Sequence, residues 1–373
     1  MMRIAAAALA LTACSSQPEP ANLSAADARD PGGDNSQALP MPAPSATVAA
    51  ALPAPRPAQP RTFRDWTVAC DNATRCAMAS LGPDMGDFPE YTMEVARNAG
   101  PSGGYEIALA TTRDAAAAVV PASIAVDGKS LPITGDRLSG AGAQAIVEAM
   151  ANGTTLDIRD GAGKTLATVS LAGASAALRF MDAAQGRAGG VTATVAKGDT
   201  PAAQVPAAPA VPVVAAPALG SAPAKPSAEQ LAQMKRIGQC AMPEGAEAKP
   251  ETAALGDGAT LVVLPCSAGA YNVIGALFVI REGQVAPADT DAPAGFDATG
   301  ADSQTPVRSV VNGTFDGGLL TSYAKGRGLG DCGVSQGFAW DGTRLRLVEQ
   351  SAMIECRGNP NFLRTWHARV VRP

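Results

Sequence analysis

Apolar residues at every second position mark the first half of this chain as strand-rich. Trp66-Thr67-Val68-Ala69-Cys70, Tyr91-Thr92-Met93-Glu94-Val95 and residues 105–110 alternate as half-buried strands do. The pattern then changes. Ser139 stands where a cap would start a helix running to about residue 151, and Asn152-Gly153 ends it. Residues 154–159 and 164–171 read as a hairpin across Asp160-Gly161-Ala162-Gly163. Between residues 173 and 185, Ala174, Ala177, Leu178 and Met181 recur at helical spacing.

The second half opens with a short helix over residues 227–237, entered through Pro226 and Ser227. Strands are expected at residues 259–264, 273–281, 319–323, 337–340 and 343–348, and a last one at 364–371. Asp341-Gly342 supplies a hairpin turn. No alternating βαβ pattern occurs, so both halves are expected to be mainly β, or α+β, with antiparallel sheets and a few helices.

Two stretches interrupt this patterning. Residues 15–60 hold ten prolines and residues 199–227 hold seven, set among Ala, Ser and Gly with almost no large apolar side chain. Such segments bury too little surface to offset their ordering entropy, so they are expected to be disordered or extended. The expected organisation is a leader at 1–13, a tether at 14–60, a β-rich domain at 61–198, a Pro/Ala linker at 199–227 and a second β-rich domain at 228–373. Composition agrees with small cores. Of 373 residues 79 are Ala, and Phe, Tyr and Trp number 8, 4 and 3.

The leader supplies an address. Arg3 precedes an apolar run, and Leu11-Thr12-Ala13-Cys14 resembles the cleavage box of bacterial lipoproteins, in which the cysteine becomes the lipidated first residue. The run is too short to span a bilayer. A lipid anchor at Cys14 and an envelope location facing the periplasm are therefore expected. Ser15 and Ser16, with no Asp after the cysteine, favour the outer membrane by analogy with enteric bacteria.

Six cysteines then remain: Cys70, Cys76, Cys240, Cys266, Cys332 and Cys356. An even count in an exported chain points to three disulfides, and although 15 pairings are possible, the grouping suggests sequential ones. On chain-entropy grounds the shortest loop contributes roughly 2.4 kcal/mol and each longer one about 3.5 kcal/mol.

Candidate chemistry is sparse. The single His367 excludes zinc sites with several imidazoles, histidine relays and paired haem ligands within one chain. A net charge of −5 gives no general reason to bind nucleic acid. No metal site or cofactor is expected. Gly333-Val334-Ser335-Gln336-Gly337 fits the GxSxG pattern of a nucleophile elbow, but a strand follows it instead of a helix. A glycine turn between strands is the reading taken, with His367 on an exposed strand face opposite Trp366. Asp289, Asp291, Asp297 and Asp302 lack EF-hand spacing and read as a solvated acidic loop. Six arginines lie between residues 344 and 373. Arg344, Arg346, Arg364 and Arg369, with Trp340 and Trp366, form the candidate binding surface, because guanidinium forks match phosphate and carboxylate.

Several of these residues also carry a resemblance. Phe63-Arg64-Asp65-Trp66-Thr67-Val68-Ala69-Cys70-Asp71-Asn72 with Cys76, Gly330-Asp331-Cys332-Gly333, Ala339-Trp340-Asp341-Gly342, Leu345-Arg346-Leu347-Val348-Glu349 and Glu355-Cys356-Arg357-Gly358 resemble the bacterial domain of unknown function 1176 family over residues 61–373. Val169-Ser170-Leu171-Ala172-Gly173 with Ala176-Ala177-Leu178 is similar to the invasion-associated locus B family, small exported proteins with a β-rich fold. The resemblance implies export, paired cysteines and two domains, and it brings no catalytic residue.

These readings converge on a lipid-anchored envelope protein without catalysis that binds an anionic envelope component or an exported protein, through a sheet edge or the arginine face. The alternatives are an envelope hydrolase using carboxylates as acid and base, for which two carboxylates converging in a cleft would speak, and a structural spacer.

Overall fold

The computed structural model describes residues 53–83, 88–111, 119–243, 248–291 and 307–373. The leader, Cys14 and the tether up to residue 52 lie outside the described residues, as do Asp297 and Asp302.

In the first half the elements run β1 (Arg61–Phe63), β2 (Trp66–Cys70), β3 (Cys76–Ser80), β4 (Tyr91–Arg97), β5 (Tyr105–Thr111), β6 (Ser123–Val126), β7 (Lys129–Pro132), β8 (Arg137–Ser139), α1 (Gly140–Met150), β9 (Thr155–Arg159), β10 (Thr165–Ser170) and α2 (Ala174–Ala184). β1 to β5 pair in chain order and β8 joins β5, giving one antiparallel sheet of six strands. A second sheet has the order β10-β9-β6-β7. The expected hairpin and both helices are present within a residue or two of their expected ends. One detail differs: Ser139 occupies the N-cap position of α1, but its side chain makes no capping bond.

Strict alternation on β2 to β5 divides the six-stranded sheet into two unlike faces. Trp66, Val68, Met78, Met93, Val95, Tyr105 and Ile107 point inward, where Ile146, Val147 and Met150 of α1 and Leu178 and Met181 of α2 cover them. The other face carries Ala69, Ala77, Ala79 and Ala96. Behind α2, Asp182 is fully buried and accepts from Arg97 Nη1 at 3.2 Å and from the Thr194 and Val195 amides. Those bonds fasten the chain that follows the helix and meet the cost of burying the charge.

The second half contains β11 (Val213–Ala215), α3 (Ala228–Gly238), β12 (Glu251–Gly256), β13 (Ala259–Ala268), β14 (Val273–Arg281), β15 (Gln284–Pro287), β16 (Ser309–Val311), β17 (Thr314–Asp316), β18 (Leu319–Lys325), β19 (Gly333–Trp340), β20 (Leu345–Met353), β21 (Leu363–His367) and β22 (Arg369–Val371). β12 to β15 form an antiparallel sheet that β16 extends through β14, and β17 to β21 form another. Leu261, Val263, Leu277 and Val279 of the first of these sheets meet Leu320, Phe338, Leu345 and Leu347 of the second. The opposite face, with Val262, Leu264, Phe278 and Ile280, is covered by Met234 of α3. Burial on both faces explains why β13 and β14 are continuously apolar. Ser227 and Gln230 form a reciprocal capping box at the start of α3.

Three disulfides close as the spacing suggested: Cys70 with Cys76, Cys240 with Cys266, and Cys332 with Cys356. The segment expected as a Pro/Ala linker is extended but docked. Its β11 pairs in parallel with β22, and Val214 is buried there. The expected last strand is therefore two short ones, split at Ala368. Residues from Leu52 to Pro373 form one compact unit. The alanine face of the first half packs on Met353 and Leu363 of the second.

Candidate binding cleft

The expected binding surface is not gathered on one open face. Arg344 pairs with Asp289 at 2.8 Å, and Arg346 pairs with Asp341 at 2.6 Å and Asp291 at 3.4 Å. The two described members of the acidic loop are thus partners of these arginines, and Asp291 is buried instead of solvated. Trp340 and Trp366 are only 5% and 8% exposed because they fill the core between sheets. Arg369 is exposed on β22, and Arg364 reaches across to Asp71 at 2.7 Å.

The GxSxG serine is also placed differently from the expected turn. Gly333 to Gly337 lie within β19, and Ser335 stands between Tyr323 and Ser351 in the ladder. Among the described residues Ser335 makes no side-chain hydrogen bond. His367 stands opposite Glu349, on a different row. It is half-buried, and its backbone N–H donates to Asn72 Oδ1 at 2.7 Å while its carbonyl accepts from Asn72 Nδ2 at 2.8 Å. This is neither a nucleophile elbow nor an exposed strand face.

The polar residues of the family-like motifs meet at the seam between the halves. Arg357 donates to the Gly82 and Arg64 carbonyls and pairs with Asp65 at 2.8 Å. Asp331 accepts from Arg327 and from the Gly358 amide, beside the Cys332–Cys356 bridge. Thr62 donates to Glu355 Oε1 at 2.6 Å.

A different group of residues, none of them read as a binding site from the sequence, faces a cleft of about 280 Å³ on the outer side of the first sheet. Register puts Ala79, Glu94, Ala108 and Arg137 on one row across β3, β4, β5 and β8. The neighbouring row is Ala77, Ala96, Glu106 and Ser139. Directly paired residues share a face, so Glu94, Glu106 and Arg137 rise beside Ala96 and Ala108 at the cleft, whereas Ala77 and Ala79 of the same rows lie under the second half. Arg75 enters from the β2–β3 turn. Asp71 Oδ1 holds that turn by accepting the Ala73 and Arg75 amides at 2.9 and 3.0 Å, while Oδ2 takes Arg364. The Cys70–Cys76 bridge closes it.

The two carboxylates differ. Glu106 is held by Asn98 Nδ2 at 2.8 Å and by Arg75 at 3.6 Å. Glu94 is half-buried and makes no side-chain hydrogen bond or ion pair among the described residues. Burial pushes its pKa above the usual glutamate value; Arg75, Arg137 and Arg364 oppose the shift, and Glu106 adds to it. Arg364, a member of the expected surface, is among the charges that act on Glu94. Among the described residues, no group of three or more His, Cys, Asp or Glu is placed to hold a metal, and no helix is long and apolar enough to cross a membrane.

Comparison with known proteins adds a family but no activity. The family model described as protein of unknown function (DUF1176) matches residues 60–372. The chain is 31% identical over 324 residues to the uncharacterized protein YpfG of Escherichia coli (strain K12), covering 80% of this chain and 89% of that protein. No solved structure matches it.

Proposed function

From the premise that this chain belongs to the DUF1176 family, we propose that it is a lipid-anchored envelope protein, tethered through Cys14, that binds an envelope component in the Glu94 cleft. The observation that carries the binding role is a half-buried carboxylate facing the same cleft as an exposed arginine, neither of them paired among the described residues. Such groups gain most from a ligand that replaces their water. Three closed disulfides support an oxidising compartment. The outer membrane, the tether and the likeness of the first half to the invasion-associated locus B family belong to this same reading.

The test uses the full chain. Incubated with envelope extract and re-isolated, the wild type retains a component, identified by mass spectrometry, that the doubly substituted Glu94→Gln, Arg137→Gln protein loses. Equal retention by both would remove the cleft from the function. Absence of radiolabelled palmitate on the full chain would remove the anchor.

A second reading is favoured by the pair of carboxylates: hydrolysis, with Glu94 as the acid and Glu106 as the base. It requires turnover of an envelope substrate that Glu94→Gln abolishes while substrate binding persists. A structural spacer would lose no retained component with either variant.

A further inference from the structure

Resting on the cleft reading, we infer that the ligand is a small zwitterion, an α-amino acid or a short peptide carrying both free ends, with its ammonium on Glu94 and its carboxylate on Arg137. The charges of the cleft balance. Arg75 and Glu106 already pair with each other at 3.6 Å, and Asn98 donates to the same glutamate. Glu94 and Arg137 are the opposite charges left over, since neither makes an ion pair among the described residues. They stand on one row with Ala108 between them, two strand spacings or about 10 Å apart at the backbone. The short side chain of Ala108 keeps that interval open.

Charge complementarity selects among ligand classes. A simple anion drawn to Arg137 would also face Glu94 and Glu106, and a simple cation drawn to Glu94 would also face Arg75 and Arg137. A dipolar ligand meets both groups with the correct sign. Ser139 is paired with Glu106 across the ladder, and its hydroxyl is not used to cap α1, so it remains a donor for the carboxylate end. A volume of about 280 Å³ suits a ligand of this size, because pockets for drug-sized molecules begin near 300 Å³.

The experiment titrates the full chain with alanyl-alanine, its N-acetylated form and its C-amidated form, following binding by calorimetry. The zwitterion is expected to bind, and either cap to weaken binding at least tenfold. Glu94→Gln and Arg137→Gln are each expected to weaken the zwitterion at least tenfold, with a cooperative thermal unfolding transition in each variant serving as the control for folding. Binding of a capped form as tight as that of the zwitterion would overturn the inference, and so would failure of the free dipeptide to bind. If the free dipeptide fails to bind but envelope extract yields a component retained by the wild type and lost by the double variant, the zwitterion falls and the cleft reading stands. If that component is retained equally by both proteins, both readings fall.

Discussion

Asp331 and Glu94 are carboxylates with opposite consequences for stability. Asp331 is held below the usual aspartate pKa, first by its hydrogen bond from Arg327 and then by the Gly358 amide, against the effect of burial. A depressed native pKa contributes stability that is present above the unfolded value near 3.8 and is lost as pH falls through the native one. Asp331→Asn is therefore expected to cost about 1–3 kcal/mol at pH 7. In denaturant titrations the gap to wild type should close under strongly acid conditions. Glu94 has the reverse sign. Its pKa is raised, so its contribution is complete below the unfolded value near 4.5 and is lost as pH rises through the native one. Glu94→Gln should thus gain stability relative to wild type on going from pH 4 to pH 7. A difference that stays flat with pH would contradict the raised pKa.

At the scale of elements, the capping box of α3 is the simplest local device. Ser227→Ala removes the bond to the Gln230 amide at 3.1 Å and should cost about 1 kcal/mol, read as a lower melting temperature. That helix was legible because a cap and an apolar stripe are local signals. So were β2, β4, β5 and the β9–β10 hairpin, where alternation reports one covered face. The cleft was not legible, although Glu94 lies within a strand the sequence identified. Its row is assembled from β3, β4, β5 and β8, and only register brings Glu94 and Arg137 together. Ser335 was misplaced because glycines usually signal turns, whereas Gly333 and Gly337 here lie in β19 with partners on both sides. Trp340 and Trp366 were placed on a binding surface because alternation cannot say which face of a strand a second sheet will cover. Asp289 and Asp291, partners of Arg344 and Arg346, are distant in sequence, and Asp341, five residues from Arg346, was read only as a turn residue.

Over the whole molecule, the alanines and the family motifs serve one purpose. Ala69, Ala77, Ala79 and Ala96 make the outer face of the first sheet low enough for Met353 and Leu363 to seat against it. Polar side chains then lock the contact: Arg357 on Asp65 and two carbonyls, Arg364 on Asp71, and Asn72 on both backbone groups of His367. The Arg364 contact also steadies the turn that carries Arg75 into the cleft, so the seam and the proposed site are mechanically linked. With such a seam, Leu52–Pro373 is expected to unfold in one transition, with calorimetric and van't Hoff enthalpies in agreement. Arg357→Ala removes the pairing with Asp65 and the bond to the Gly82 carbonyl, so it should destabilise by about 1–3 kcal/mol and broaden or split the transition. Ala96→Leu tests the same interface through shape, since a larger side chain at a buried seam position should cost about 1–3 kcal/mol through overpacking. A single sharp transition at unchanged temperature in both variants would mean that the two halves do not depend on this contact. The cleft would then have to be understood from the first half alone.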